Sequence, residues 1–161
     1  LEPVRLAAIN LDEMRVAEGK KLEKDMLERG EVIKGFVAEI SERAPAVPKE
    51  YAERLKQRIA TLLEDATVAS EERIAVEAAI FADKCNIDEE ITRLNSHMEQ
   101  MKKIIDEQGQ PDGKRLDFLV QEMNREANTI GSKANDLSIT ERMLKIKAEV
   151  EKIREQVQNI E

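Results

Sequence analysis

The stretch ITERMLKIKAEVEKIREQVQNI, residues 139–160, decides the fold class. Its apolar residues Ile139, Met143, Ile146, Val150, Ile153, Val157 and Ile160 alternate steps of four and three, which keeps one narrow seam on one side of an α-helix. Such a seam is buried only against another helix, from the same chain or from a neighbouring subunit, so packing that includes oligomer contacts is expected. Composition agrees with this. Aromatic residues make up 2% of the 161 positions and charged residues 37%, with no Trp, one Tyr and three Phe. That is poor material for sheets and ordinary material for helices with solvated faces. The predicted class is all-α: long helices, helical hairpins, a C-terminal coiled-coil-like helix, and self-association.

Working back toward the N-terminus, Leu116, Leu119, Met123, Ala127 and Ile130 mark a second amphipathic helix, with Gly131 as its end or a kink. The turn signal Gly109-Gln110-Pro111-Asp112-Gly113 separates it from a third helix, whose stripe is Ile91, Leu94, Met98, Met101 and Ile105. That helix should run to about Gln108, and Asn86 and Asp88 read as a break and an N-cap before it. Ser70 opens a helix through about Lys84 carrying Ile74, Ala78 and Phe81, and Pro48 sits in the first turn of another through Leu63. From about Leu11 to Arg43 the chain has helical character weakened by Gly19, Gly30 and Gly35, and Pro45 and Pro48 end it. The organisation predicted is a helical region over 1–84 followed by a second helical unit over 85–161.

The single cysteine, Cys85, permits no internal disulfide and no cysteine-based zinc site, which points to a reducing compartment. It reads as a small buried residue. Apolar runs are far shorter than the roughly 20 residues that cross a bilayer, so a soluble, cytoplasmic protein with no membrane partner is expected. The chain opens on Leu1, as a piece of a longer protein would. Its net charge of −8 argues against nonspecific binding to DNA or other nucleic acid, which needs clustered Lys and Arg. Any RNA contact must be local. Between Lys114 and Lys147, seven basic residues face five acidic ones, a weak positive lean.

Chemistry concentrates in KRLDFLVQEMNREANTIGSKAN, residues 114–135. At 100° per residue, Asp117, Gln121, Asn124, Arg125, Asn128 and Ser132 form an arc opposite the apolar one. Asn costs helix propensity that Glu or Lys would not, so hydrogen bonding to a partner explains an amide-rich arc better than solvation does. A further stripe, Arg115, Glu122, Glu126 and Lys133, sets two carboxylates one turn apart between cations. Such a pair can hold a divalent cation, although the same pattern is more often a salt-bridged surface. His97, the only histidine, is the side-chain type that acid–base chemistry favours and shares a stripe with Glu90, Arg93 and Gln100; most such histidines are structural.

The runs KRLDFLVQEMNREANTIGSKAND from Lys114, EEITRLNSHMEQ from Glu89 and KAEVEKIREQVQNIE at the end together resemble the C-terminal signature of the YicC/YloC family. The likeness is close from about Cys85 to Glu161 and looser around Glu18–Lys20 and Tyr51–Phe81. It implies a metal-dependent endoribonuclease acting on single-stranded RNA, assembled as a hexamer when full-length. An N-terminal β-containing domain precedes this region in the family. Cleavage that needs surfaces from both halves would be lost in this piece alone.

Within that frame His97, Glu122 and Glu126 are the expected catalytic residues, and Glu90, Glu122 and Glu126 the ligands of a divalent ion, Mg or Mn. Arg93, Arg115, Arg125 and Lys133 would hold phosphates, and Gln121, Asn124 and Asn128 would bond sugar or base edges. Two other readings stand beside this one: an adaptor that presents RNA to a separate ribonuclease, and a structural oligomerisation module.

Overall fold

The computed structural model describes residues 2–62, 71–107 and 112–159, without the side chains of 2–4 and 6. Among these described residues six helices follow one another: α1 Glu2–Arg43, α2 Ala46–Leu62, α3 Glu71–Lys84, α4 Asp88–Asp106, α5 Gly113–Lys133 and α6 Leu137–Gln158. Among the described residues there is no strand, and no helix is long and apolar enough to cross a membrane.

The seam of residues 139–160 is filled from within the chain. Ile139, Met143, Ile146, Val150, Ile153 and Val157 are all buried, facing α5 on one side and α1 on the other. Ile160 lies outside the described residues. The α4–α5 hairpin completes the ring, because α4 also packs on α1. Helices α1, α4, α5 and α6 thus make a four-helix bundle with one continuous core, from Met26, Ile33, Val37 and Ile40 to Leu94, Met98, Leu119 and Met123. A seam spent inside the chain offers no free face to a second copy, so the expected oligomer contact loses its basis there.

The α2–α3 hairpin packs mainly on itself, with Tyr51 and Phe81 stacked at 3.9 Å between centroids. It joins the bundle through Val47 and Cys85. Arg43, at the end of α1, donates to Glu50 of α2 and to Asp136, the N-cap of α6, tying three helix ends together.

Four local expectations are corrected. Helix α1 starts at Glu2 rather than near Leu11 and runs through all three glycines. The buried stripe from Met26 to Ile40 outweighs their propensity cost. Gly30 has a positive use, since a Cβ there would meet Met101 Cε at 3.2 Å where α1 and α4 touch. Asp88 is the first residue of α4 and not its cap: Ile87 holds the cap position, and Asn86 Oδ1 accepts from the Asp88 amide. Helix α4 ends at Asp106, before Gln108, which itself lies outside the described residues with Gly109, Gln110 and Pro111. Gly131 neither ends nor breaks α5. The chain reverses at Asn135, whose φ of 46° is the left-handed conformation that Asn tolerates after a helix end. The expected Leu63 terminus and Ser70 start fall outside the described residues.

Candidate metal centre

Helices α4 and α5 run antiparallel, so the first turns of α4 meet the last turns of α5. Lys133 Nζ donates to Glu90 Oε1 at 2.7 Å and Arg93 Nε to Glu126 Oε1 at 3.0 Å. In the next turn His97 faces the Glu122–Glu126 pair. Ligand atoms of His97, Glu122 and Glu126 all lie within 4.8 Å of one another. Two carboxylates one helical turn apart and an imidazole from the facing helix therefore converge on one point.

The environment of that point is unusual for a plain salt-bridged surface. Both ring nitrogens of His97 are shielded from solvent and have no hydrogen-bond partner, as is Glu90 Oε2. Leaving such a group unpaired costs about 1–3 kcal/mol. Glu126 is only 6% exposed. Arg93 binds one of its oxygens and also reaches Glu89 and Glu90, so it orients the carboxylate. Glu126 foremost, then Glu89, push the guanidinium further up its already high range. Burial alone would raise the Glu90 carboxyl, but Lys133 and Arg93 hold it below the usual carboxylate range.

These contacts sort the residues expected from sequence. His97, Glu122 and Glu126 come together. Glu90 stands outside that group, engaged with Lys133 and Arg93. Arg115 pairs with Glu107 at 3.1 Å, two turns before Glu122. Arg93, Arg115 and Lys133 are thus each engaged by carboxylates of the chain itself. Arg125 differs, with a side chain 76% exposed and its guanidinium 3.9 Å from Glu122.

On the opposite flank of α5, Gln121, Asn124, Arg125 and Asn128 line one surface cleft together with Thr129 and Arg154. Gln121 Nε2 already donates to Asp117 at 2.7 Å. Arg154, from α6, escaped the sequence reading. The only signal was its place next to the seam residue Ile153, and nothing in the sequence says which side of α5 the seam covers. Cys85 is buried, and its thiol is pushed up by that burial.

Known proteins resemble the chain over most of its length. The family model "Endoribonuclease YicC-like, C-terminal" matches residues 40–161. The chain is 48% identical over 160 residues to "Probable endoribonuclease YicC" of Clostridioides difficile (strain 630), covering 99% of this chain and 54% of that protein. To the protein of the same name from Haemophilus influenzae (strain ATCC 51907 / DSM 11121 / KW20 / Rd) it is 35% identical over 149 residues, covering 92% of this chain and 50% of that protein. The chain spans about half the length of the curated relatives it matches. With a family model over most of its length and a relative at nearly half identity, the chain belongs to the YicC-like endoribonuclease family, of which it carries the C-terminal region.

Proposed function

We propose that this chain carries the cleavage centre of a metal-dependent endoribonuclease acting on single-stranded RNA. The observation that supports it is the convergence of His97, Glu122 and Glu126 within 4.8 Å, with both imidazole nitrogens buried and unpartnered. The donor set fits a divalent cation. One imidazole nitrogen with carboxylate oxygens suits Mn²⁺ better than Mg²⁺, which prefers an all-oxygen shell. When bound, such an ion supplies Lewis acidity at a phosphoryl oxygen and lowers the pKa of water.

The protein's own groups do the rest. Arg93 donates to Glu126 Oε1 at 3.0 Å and so holds the carboxylate in place beside His97 and Glu122. Arg125 lines the amide-rich cleft with its guanidinium 3.9 Å from Glu122, so a phosphate held at Arg125 lies beside that one carboxylate of the centre. Asn124 and Asn128 present amides to sugar and base edges without demanding one sequence. Assembly of the full-length protein into a homo-oligomer, up to a hexamer, belongs to the same reading. It would use surfaces other than the α6 seam, such as the exposed Ile9, Leu11, Met14 and Val16 on the part of α1 beyond the core.

The test is cleavage of a single-stranded RNA by the full-length protein with Mn²⁺. Glu122→Gln and Glu126→Gln should each lose more than the roughly 10–100-fold that follows loss of an outer-shell partner, with RNA still bound. Arg125→Ala should instead weaken binding and flatten its salt dependence by about 0.7 in slope. RNA bound but never cut by the parent would make the protein an adaptor, and equal cleavage by all variants would place the activity elsewhere.

A further inference from the structure

The groove between α4 and α5 continues past the three converging residues. One turn beyond His97 on α4 stands Gln100, and one turn before Glu122 on α5 stands Phe118. Between them opens a cleft whose lining includes Lys103, Glu107, Lys114 and Arg115. Phe118 is 59% exposed. The other aromatic rings are occupied: Tyr51 and Phe81 stack on each other, and Phe36 packs on the core beneath Lys145. Leaving a phenyl ring in water forgoes the stabilisation its burial would bring, and α5 has its apolar face elsewhere. The lining of the cleft carries three cations and one carboxylate, Glu107, which pairs with Arg115. Neither Lys103 nor Lys114 forms a salt bridge among the described residues. A local positive excess around an exposed aromatic ring stands out in a chain of net charge −8.

We propose that Phe118 is a stacking platform for an unpaired nucleobase of the RNA strand, with Lys103, Lys114 and Arg115 holding the phosphates beside it. The proposal rests on the endoribonuclease reading, because the strand it describes is the one whose phosphodiester lies at His97, Glu122 and Glu126. Four residues of helix place Phe118 about 6 Å along the axis from Glu122, the reach of a neighbouring nucleotide. Charge complementarity and continuity with the centre select nucleic acid over an apolar protein partner. A base inside a duplex has both faces covered and cannot stack on the ring. The subsite therefore favours single strands and is tolerant of sequence, since every base has a π-face.

The experiment uses the full-length protein in EDTA, so that RNA is bound and not cut, with a single-stranded oligonucleotide carrying 2-aminopurine. Parent protein should quench the probe as the base stacks. Phe118→Ala should abolish the quenching and weaken binding by about 5- to 150-fold, and Phe118→Tyr should restore both. Affinity for duplex RNA should not change. Lys103→Ala and Lys114→Ala should each reduce the salt slope by about 0.7. Unchanged binding and quenching in Phe118→Ala would overturn the subsite while leaving the cleavage reading to its own variants. A parent that binds no RNA would remove both. Loss of assembly in Phe118→Ala at unchanged RNA affinity would make the ring an interface between copies and overturn the proposal as well.

Discussion

Glu90 and Arg93 show how single residues prepare the groove. Glu90 is 3% exposed and keeps its charge because Lys133 and Arg93 both donate to the same oxygen. Its carboxyl lies below the usual range, so its stabilising contribution is complete above the unfolded value of about 4.3 and is lost as pH falls through the lower folded value. Asp136 and Glu149 behave alike, held down chiefly by Arg43 and Lys152 respectively. Thermal melts should therefore show the parent losing stability between about pH 5 and pH 3. Glu90→Gln should be destabilised at pH 7 on the order of 1–3 kcal/mol and lose less than the parent on acidification. A variant as acid-sensitive as the parent would show that Glu90 carries none of this dependence. The sequence made the carboxylate pair Glu122 and Glu126 legible, because i and i+4 share a face wherever the helix sits. It could not say that Glu90 would be taken by Lys133, since that depends on a partner 43 residues away.

At the scale of elements, periodicity carried the most. The stripes of α4, α5 and α6 are buried where the spacing placed them, except for the half-buried Ile91 at the start of α4 and Ile160 outside the described residues, because an amphipathic helix has one cheap way to lie on a core. Ends were less legible. The N-terminus of α4 lacks a side-chain cap, and α5 passes Gly131 to turn at Asn135, so local chemistry misled where packing decided. What the α6 seam packs against was left open between the same chain and a neighbour, and the bundle assigns it to the chain itself. Ile146 is fully buried in that seam. Ile146→Ala should cost about 2–5 kcal/mol in denaturant unfolding and leave the association state of the folded protein as it was. A variant of full stability whose assembly alone is lost would put the seam back at a subunit interface.

Across the whole molecule, the centre exists because two helices distant from each other in role are brought into register. The α5 carboxylates alone are an ordinary surface pattern; His97 becomes their partner only through the antiparallel hairpin, whose register is fixed by packing of Leu94, Met98, Met123 and Ile130 rather than by any motif. Phe118 escaped notice for the opposite reason: in sequence it is one apolar residue beside an apolar stripe, and only the fold leaves it exposed. Both belong to a bundle closed by α1, which holds α4 and α6 from the other side. Because His97, Glu122 and Glu126 all lie in that bundle, their cation site should form in this chain. Calorimetric titration of Mn²⁺ into this chain tests that claim most directly. One site should appear in the parent and be lost, with more than about tenfold weaker binding, in His97→Ala, Glu122→Gln and Glu126→Gln, each still helical. A parent that binds no Mn²⁺, or variants that bind it as tightly as the parent, would contradict the account.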